Sequence, residues 1–225
     1  MATQERALIV GAGSGLSASL ARRFAKEGMS VALAARDTVK LGALATETKA
    51  RAYALDASEA GAVAAMFDKL DRDVGPLDIV VYNASGRLRG PFAELDAAGV
   101  AKAIAVTAYG GFLVGQQAAR RMLDRGRGSI FFTGASASVK GYAQSAPFAM
   151  GKFALRGLAQ SMARELAPKG IHVGHFVIDG SIGRDPAGEA RLDPDAIAAT
   201  YLAIHRQPRS AWTWEVELRP WVEKF

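Results

Sequence analysis

Short apolar runs alternate along the chain with longer segments whose apolar residues recur at helical spacing. The runs "RALIV", "SVALAA", "RAYAL", "LDIVVYN", "SIFFTG" and "IHVGHFVI" are each bounded by glycine, aspartate or a charge, and they predict strands. Between them lie "LSASLARRFAKEG", "TVKLGALATETK", "SEAGAVAAMFDKLDRD", "DAAGVAKAIAVTAYGGFLVGQQAARRMLDRG" and "PFAMGKFALRGLAQSMARELAPKG". These carry the 3.6-residue pattern, end in Gly or charge-rich turns, and predict helices. Strand followed by helix, repeated about six times, implies parallel strands joined by right-handed crossovers.

The expected fold class is therefore α/β: a single doubly wound parallel sheet of Rossmann type, helices on both faces, with residues 1–225 forming one domain. No repeat or linker interrupts the pattern. Its least regular part is "GSIGRDPAGEARLDP", residues 180–194, a loop after a late strand where such loops can cover a ligand cleft. The tail "RSAWTWEVELRPWVEKF" holds all three tryptophans, and "WTWEVEL" alternates like a strand.

Composition narrows the chemistry. With no cysteine among 225 residues, disulfides, thiolate catalysis and cysteine metal sites are excluded. His172, His175 and His205 have no ligand spacing, and the first two fall on opposite faces of a strand, so no metal is expected. The start "MATQERALIV" lacks an apolar signal core, and no uncharged apolar run approaches the roughly 20 residues of a membrane span. The expectation is a soluble cytoplasmic protein without a membrane partner. A net charge of +6 favours anionic ligands, but Lys and Arg are scattered rather than gathered in a tract. That argues for a phosphate-bearing small molecule and against nucleic acid.

"ALIVGAGSGLSASLARRFAKEG" reads as strand, glycine turn, helix, the context in which a backbone can approach a pyrophosphate at a helix N-terminus. Two registers are open: Gly13, Gly15 and Ala18 fit the dinucleotide pattern, and Gly11 with Gly15 fits a wider spacing. The second strand ends "ALAARDT", where a carboxylate would select the free ribose and an arginine the 2′-phosphate. Arg36 points to NADP rather than NAD; Asp37, one position on, is the competing signal. In "APFAMGKFAL", Phe148 and Lys152 stand one helical turn apart on the same face.

With "VGAGSGLS", "LDAS", "VYNASG" and the segment around Lys152 in this order, the chain resembles the short-chain dehydrogenase/reductase family over nearly its whole length. The resemblance maps the family's turn to Gly11, Ser14, Gly15 and Leu16, with Val10 replacing a threonine and Ser17 the last glycine. It implies that Asp56 and Ala57 meet the adenine, and that Asn83, Ala84 and Ser85 lie along the cofactor. In "VIDGSIG" Asp179 replaces a proline, Gly180 keeps the turn, and Ile182 would face the nicotinamide amide. Arg184 stands where the family often has a threonine near the phosphates.

The family's catalytic set is Asn, Ser, Tyr and Lys: the phenol moves the proton, the ammonium lowers its pKa and binds ribose, and the serine holds the substrate oxygen. Lys152 matches. Phe148 takes the tyrosine position, the serine spacing lands on Ala135 beside Ser136, and the asparagine position falls near Ala105. Replacement donors are Tyr142 and Ser136, with Ser145 and Tyr109 nearby. Two readings follow: an NADP-dependent oxidoreductase of a small carbonyl or alcohol with a rebuilt proton donor, or a catalytically silent NADP-binding sensor or partner subunit. The resemblance also implies a homodimer or homotetramer paired through helices at residues 98–125 and 147–166.

Overall fold

The computed structural model describes residues 4–185 and 190–223. Its strands are β1 (Arg6–Val10), β2 (Ser30–Ala35), β3 (Arg51–Ala54), β4 (Ile79–Tyr82), β5 (Gly128–Thr133), β6 (Ile171–Ile178) and β7 (Glu215–Leu218). They form one seven-stranded sheet in the order β3-β2-β1-β4-β5-β6-β7, every neighbouring pair parallel. The order reverses at β1, which pairs β2 on one side and β4 on the other. Strand ends diverge at such a switch point and leave a crevice.

Alternation along the strands sorts their side chains into two cores. Leu8, Val10, Val80, Tyr82, Ile130 and Phe132 face α3 (Ala60–Asp73), α5 (Gly110–Leu123) and α6 (Ala146–Leu166). Ala7, Ile9, Val31, Leu33, Val81 and Phe131 face α1 (Leu16–Lys26), α2 (Gly42–Thr48) and α7 (Pro194–His205). Strands buried on both faces account for the near-continuous apolar runs.

Local chemistry sets the helix ends. The buried stripe Leu16, Leu20 and Phe24 makes α1 amphipathic, and Gly28 ends it at φ +81°, with the Met29 N–H donating back to the Phe24 carbonyl at 3.0 Å. Asp193 caps α7 by accepting from the Asp195 N–H at 2.7 Å, with Pro194 in the first turn. This helix was not foreseen, because its run-in lies in the 180–194 segment that reads as loop; residues 186–189 of that segment lie outside the described residues.

The long helix expected before β5 is interrupted. It comprises α4 (Ala97–Ile104), a π turn at Ala105–Tyr109, and α5. Taken together, Ala97–Leu123 is long and apolar enough to cross a membrane by those two measures, contrary to the sequence expectation. Its apolar content has a second use here: Leu113, Val114, Ala118 and Met122 of α5 are buried in the core beneath the sheet. At the π turn, Thr107 Oγ1 accepts from the Gly86 N–H at 2.9 Å and the Val106 carbonyl accepts from the Tyr82 hydroxyl, so the bulge is fastened to the end of β4.

Candidate active site

Three adjoining cavities follow the carboxyl ends of the strands. The first, about 490 Å³, is lined by Gly11, Gly13, Ser14, Arg36, Asp56 and Asn83 among others. The second, about 450 Å³, shares Asn83 and Ser85 with it and contains Ser136, Phe148, Lys152 and Ile182. A third, about 210 Å³, shares Arg87, Ser136 and Phe148 with the second and extends to Arg89, Tyr142 and Ser145. A separate 270 Å³ cavity between α6 and Trp212 and Trp214 lies at the amino end of β6 and holds none of the expected cofactor residues.

The glycines of the first turn do different work. Gly11 has φ +83°, and a Cβ there would lie 2.4 Å from the Ala84 backbone nitrogen, so its role is to let β1 and β4 close together. A Cβ added at Gly13 or Gly15 would meet nothing within 4 Å, and Gly13 lines the cavity. Gly15 caps α1 without a side chain, and no acidic residue stands in the first turn. The first amides of α1 therefore remain available to an anion, and a pyrophosphate fits. Ser17, in place of a glycine, is buried; its hydroxyl donates to the Gly11 carbonyl at 3.1 Å and accepts from Asn83 Nδ2 at 2.7 Å. Asn83 thus braces the turn as well as lining the cleft.

At the far end, both oxygens of Asp37 are engaged locally, one by the Val39 N–H at 3.0 Å and the other by Lys40 at 3.4 Å. Arg36, Asp37 and Lys40 all line the cavity, and with Asp37 balanced by Lys40 this end is left cationic by Arg36. Asp56 accepts from the Ser58 hydroxyl and amide at 2.6 and 3.0 Å through one oxygen, leaving the other for a ligand donor. Those hydrogen bonds hold its carboxyl below the usual carboxylate range. Ala57 is buried beside it, and Ala84 lines the cavity where β4 ends.

Lys152 is only 3% exposed, and its ammonium donates to the Thr133 carbonyl at 2.6 Å. Thr133 is itself fixed, since its hydroxyl shares a hydrogen bond of 2.9 Å with Tyr201 of α7. An ammonium has three donors, so two remain for a ribose or a water in the second cavity. Burial, with a smaller push from Arg87, lowers this ammonium to about 7. The Phe148 ring lies one turn away, with Lys152 Nζ at 5.7 Å from its centroid and the Arg87 guanidinium at 4.8 Å.

Ser136 and Ala135 both line the second cavity. Neighbouring side chains on a strand would point to opposite faces, but β5 has ended at Thr133 and a 3₁₀ turn begins at Ser136. Tyr142 reaches only the third cavity, where Lys140 Nζ stands 5.9 Å above its ring. Tyr109 is exposed on the helix and stacks on Phe112 at 6.2 Å, away from the site. Arg184 pairs with Asp195 at 2.8 Å and does not line the cleft. Asp179 was noted in the sequence only for the proline it replaces. It is buried and paired with Arg219 at 3.0 Å and Lys140 at 3.6 Å, tying the start of the 180–194 segment to the C-terminal region and to the loop before α6.

Comparison with known proteins agrees with this arrangement. The profile of the family described as short chain dehydrogenase matches residues 5–180. The chain belongs to the short-chain dehydrogenase family. It is accordingly a nicotinamide-dependent oxidoreductase by family. Gluconate 5-dehydrogenase of Gluconobacter oxydans (strain 621H) is 31% identical over 173 residues, covering 75% of this chain and 68% of that protein. A short-chain dehydrogenase structure from Rhodopseudomonas palustris superposes with a TM-score of 0.87 at 37% identity, covering 96% and 99% of the two chains. A metagenomic short-chain oxidoreductase solved with NADP superposes at 0.86 with 28% identity, covering 96% and 97%.

Proposed function

We propose that this short-chain dehydrogenase uses NADP, that it interconverts a small carbonyl and its alcohol, and that Phe148 stands where the family has its tyrosine. The observation carrying the proposal is the buried Lys152, which is held by the Thr133 carbonyl and shares one cavity with Ser136 and Phe148. The pyrophosphate would be held by the amides opening α1, the adenine by Asp56, and the ribose by Lys152. Arg36 supplies the cation that a 2′-phosphate requires, while Asp37 is already engaged by the Val39 N–H and Lys40. The relative solved with NADP supports the same choice. When bound, the nicotinamide supplies or takes the hydride.

The chain's own residues then handle the oxygen and the proton. Ser136 holds the substrate oxygen, and Lys152 exchanges a proton with it through a water, its ammonium lying near the neutral range where general acids work best. Tyr142 does not share the cavity of Lys152 and is left out of this route. The chain pairs into a homodimer or homotetramer through α5 and α6, whose outer faces expose Phe112, Met150 and Phe153.

The test is NADPH oxidation with a series of small carbonyls, alongside titrations with NADPH and NADH. Turnover is expected in the wild type and is lost in Lys152→Met. NADPH binds more tightly than NADH by about tenfold or more, the worth of a charge-assisted hydrogen bond, and Arg36→Ala removes the difference. Equal affinities in the wild type would remove the 2′-phosphate reading. NADPH binding without turnover on any carbonyl would instead favour the silent partner subunit.

A further inference from the structure

The loop following β4, "SGRLRG", contributes Ser85 to the cofactor cavity, while its remaining residues take no part there and are nonetheless held firmly. Gly86 is pinned at one end by its N–H to Thr107 of the π turn, and a Cβ there would lie 2.5 Å from Ala103 Cα of α4. At the other end the Gly90 N–H donates to the Gln144 carbonyl at 3.2 Å. Leu88, between the two arginines, lies against Gly99 of α4, while Arg87 and Arg89 line the third cavity. The segment thus packs its apolar residue on the helix and places both arginines along the cleft.

Among the described residues, neither Arg87 nor Arg89 has a carboxylate within ion-pair distance, in contrast to Arg22, Arg121, Arg125 and Arg156. Among the described residues, no acidic side chain lines the second or third cavity. Arg87 instead rests on the Phe148 ring, which also lies near Lys152. Arg87 therefore shares the third cavity with Arg89 and the second with Lys152, so cationic groups flank the substrate end, and a planar guanidinium fork matches a carboxylate.

We infer that the substrate is a carboxylate-bearing carbonyl or hydroxy acid whose carboxylate is held by Arg87 and Arg89 while its reacting oxygen lies at Ser136 and Lys152. This rests on the oxidoreductase reading above and names its substrate class. The phenylalanine then has a role of its own: its ring face seats Arg87, with no hydroxyl to compete for the fork.

The experiment uses the whole chain with NADPH and two matched probe sets, oxo acids of three to six carbons and their methyl esters. Binding to the NADPH complex is measured by calorimetric titration, and turnover by NADPH oxidation. The acids are expected to bind better than their esters by at least about tenfold. In the Arg87→Gln/Arg89→Gln double variant that ratio falls to about one, while NADPH affinity is unchanged. Loss of NADPH affinity in the double variant with an unaltered acid-to-ester ratio would assign the arginines to the cofactor and overturn the proposal, as would equal binding of acids and esters in the wild type. Acid binding that depends on both arginines without NADPH oxidation would uphold the anion site and overturn the reductase reading, so the two failures are separable.

Discussion

At the scale of single residues, our proposal divides between Phe148 and Lys152 the work that elsewhere in the family falls to a tyrosine and a lysine. The Phe148 ring carries the Arg87 guanidinium on its face, and under that proposal the proton passes by way of a Lys152 ammonium whose pKa burial has lowered. Phe148→Tyr is expected to raise kcat on uncharged carbonyls by on the order of 10², the lower end of what a positioned general acid contributes. Steady-state kinetics on the methyl esters reads this directly, and an unchanged kcat would mean that proton transfer does not limit the rate. For reduction the protonated lysine is the active form, so kcat/KM falls as pH rises through about 7. Lys152, Phe148 and Ser136, which the family resemblance grouped together, line one cavity. The sequence did not reveal Arg87 and Arg89, whose place along the cleft depends on Leu88 finding Gly99 on another element.

At the scale of elements, the first turn separates a folding role from a binding role. Gly11→Ala must place a Cβ on the Ala84 backbone at positive φ, at a cost of about 3 kcal/mol or more from overpacking and left-handed strain together. Gly13→Ala meets open space, so chemical denaturation should show it within about 1 kcal/mol of wild type while NADPH affinity drops. A stable Gly11→Ala would show that β1 and β4 can separate to admit the methyl. Strands buried on both faces announce themselves as apolar runs, so all six of the expected strands are present, and the alternating "WTWEVEL" yields β7. The π turn was not legible, because "AVTAY" satisfies helical spacing equally well with or without an extra residue. Nor was the Asp179 pairing to Arg219, which joins residues far apart in the chain.

Over the whole molecule, histidines couple the sheet to solvent acidity. His175 is fully buried on β6; its ring bonds Glu215 of β7 at 3.0 Å, and Arg156 of α6 grips the same carboxylate at 2.6 and 2.7 Å. Burial lowers this imidazole to about 4 despite Glu215, and burial lowers His172 and His205 as well. The unfolded chain therefore takes up protons that the folded chain refuses, and stability is lost as pH falls from 6.5 toward 4. His175 alone accounts for about 3 kcal/mol of this loss. Urea midpoints measured across that range should fall steeply in the wild type and less steeply in His175→Gln. A flat profile would mean that the edge of the sheet opens and lets the ring protonate without unfolding.

The π turn between α4 and α5 carries one residue more than a regular helix needs, which turns the faces of the two halves out of step by about 100°. What α4 presents to the loop of Arg87 and Arg89 is thereby uncoupled from what α5 presents to the core. Substitutions that retune substrate choice through α4 need not be reconciled with the packing of α5. Within one continuous helix, the chain holds two segments that can evolve on separate clocks.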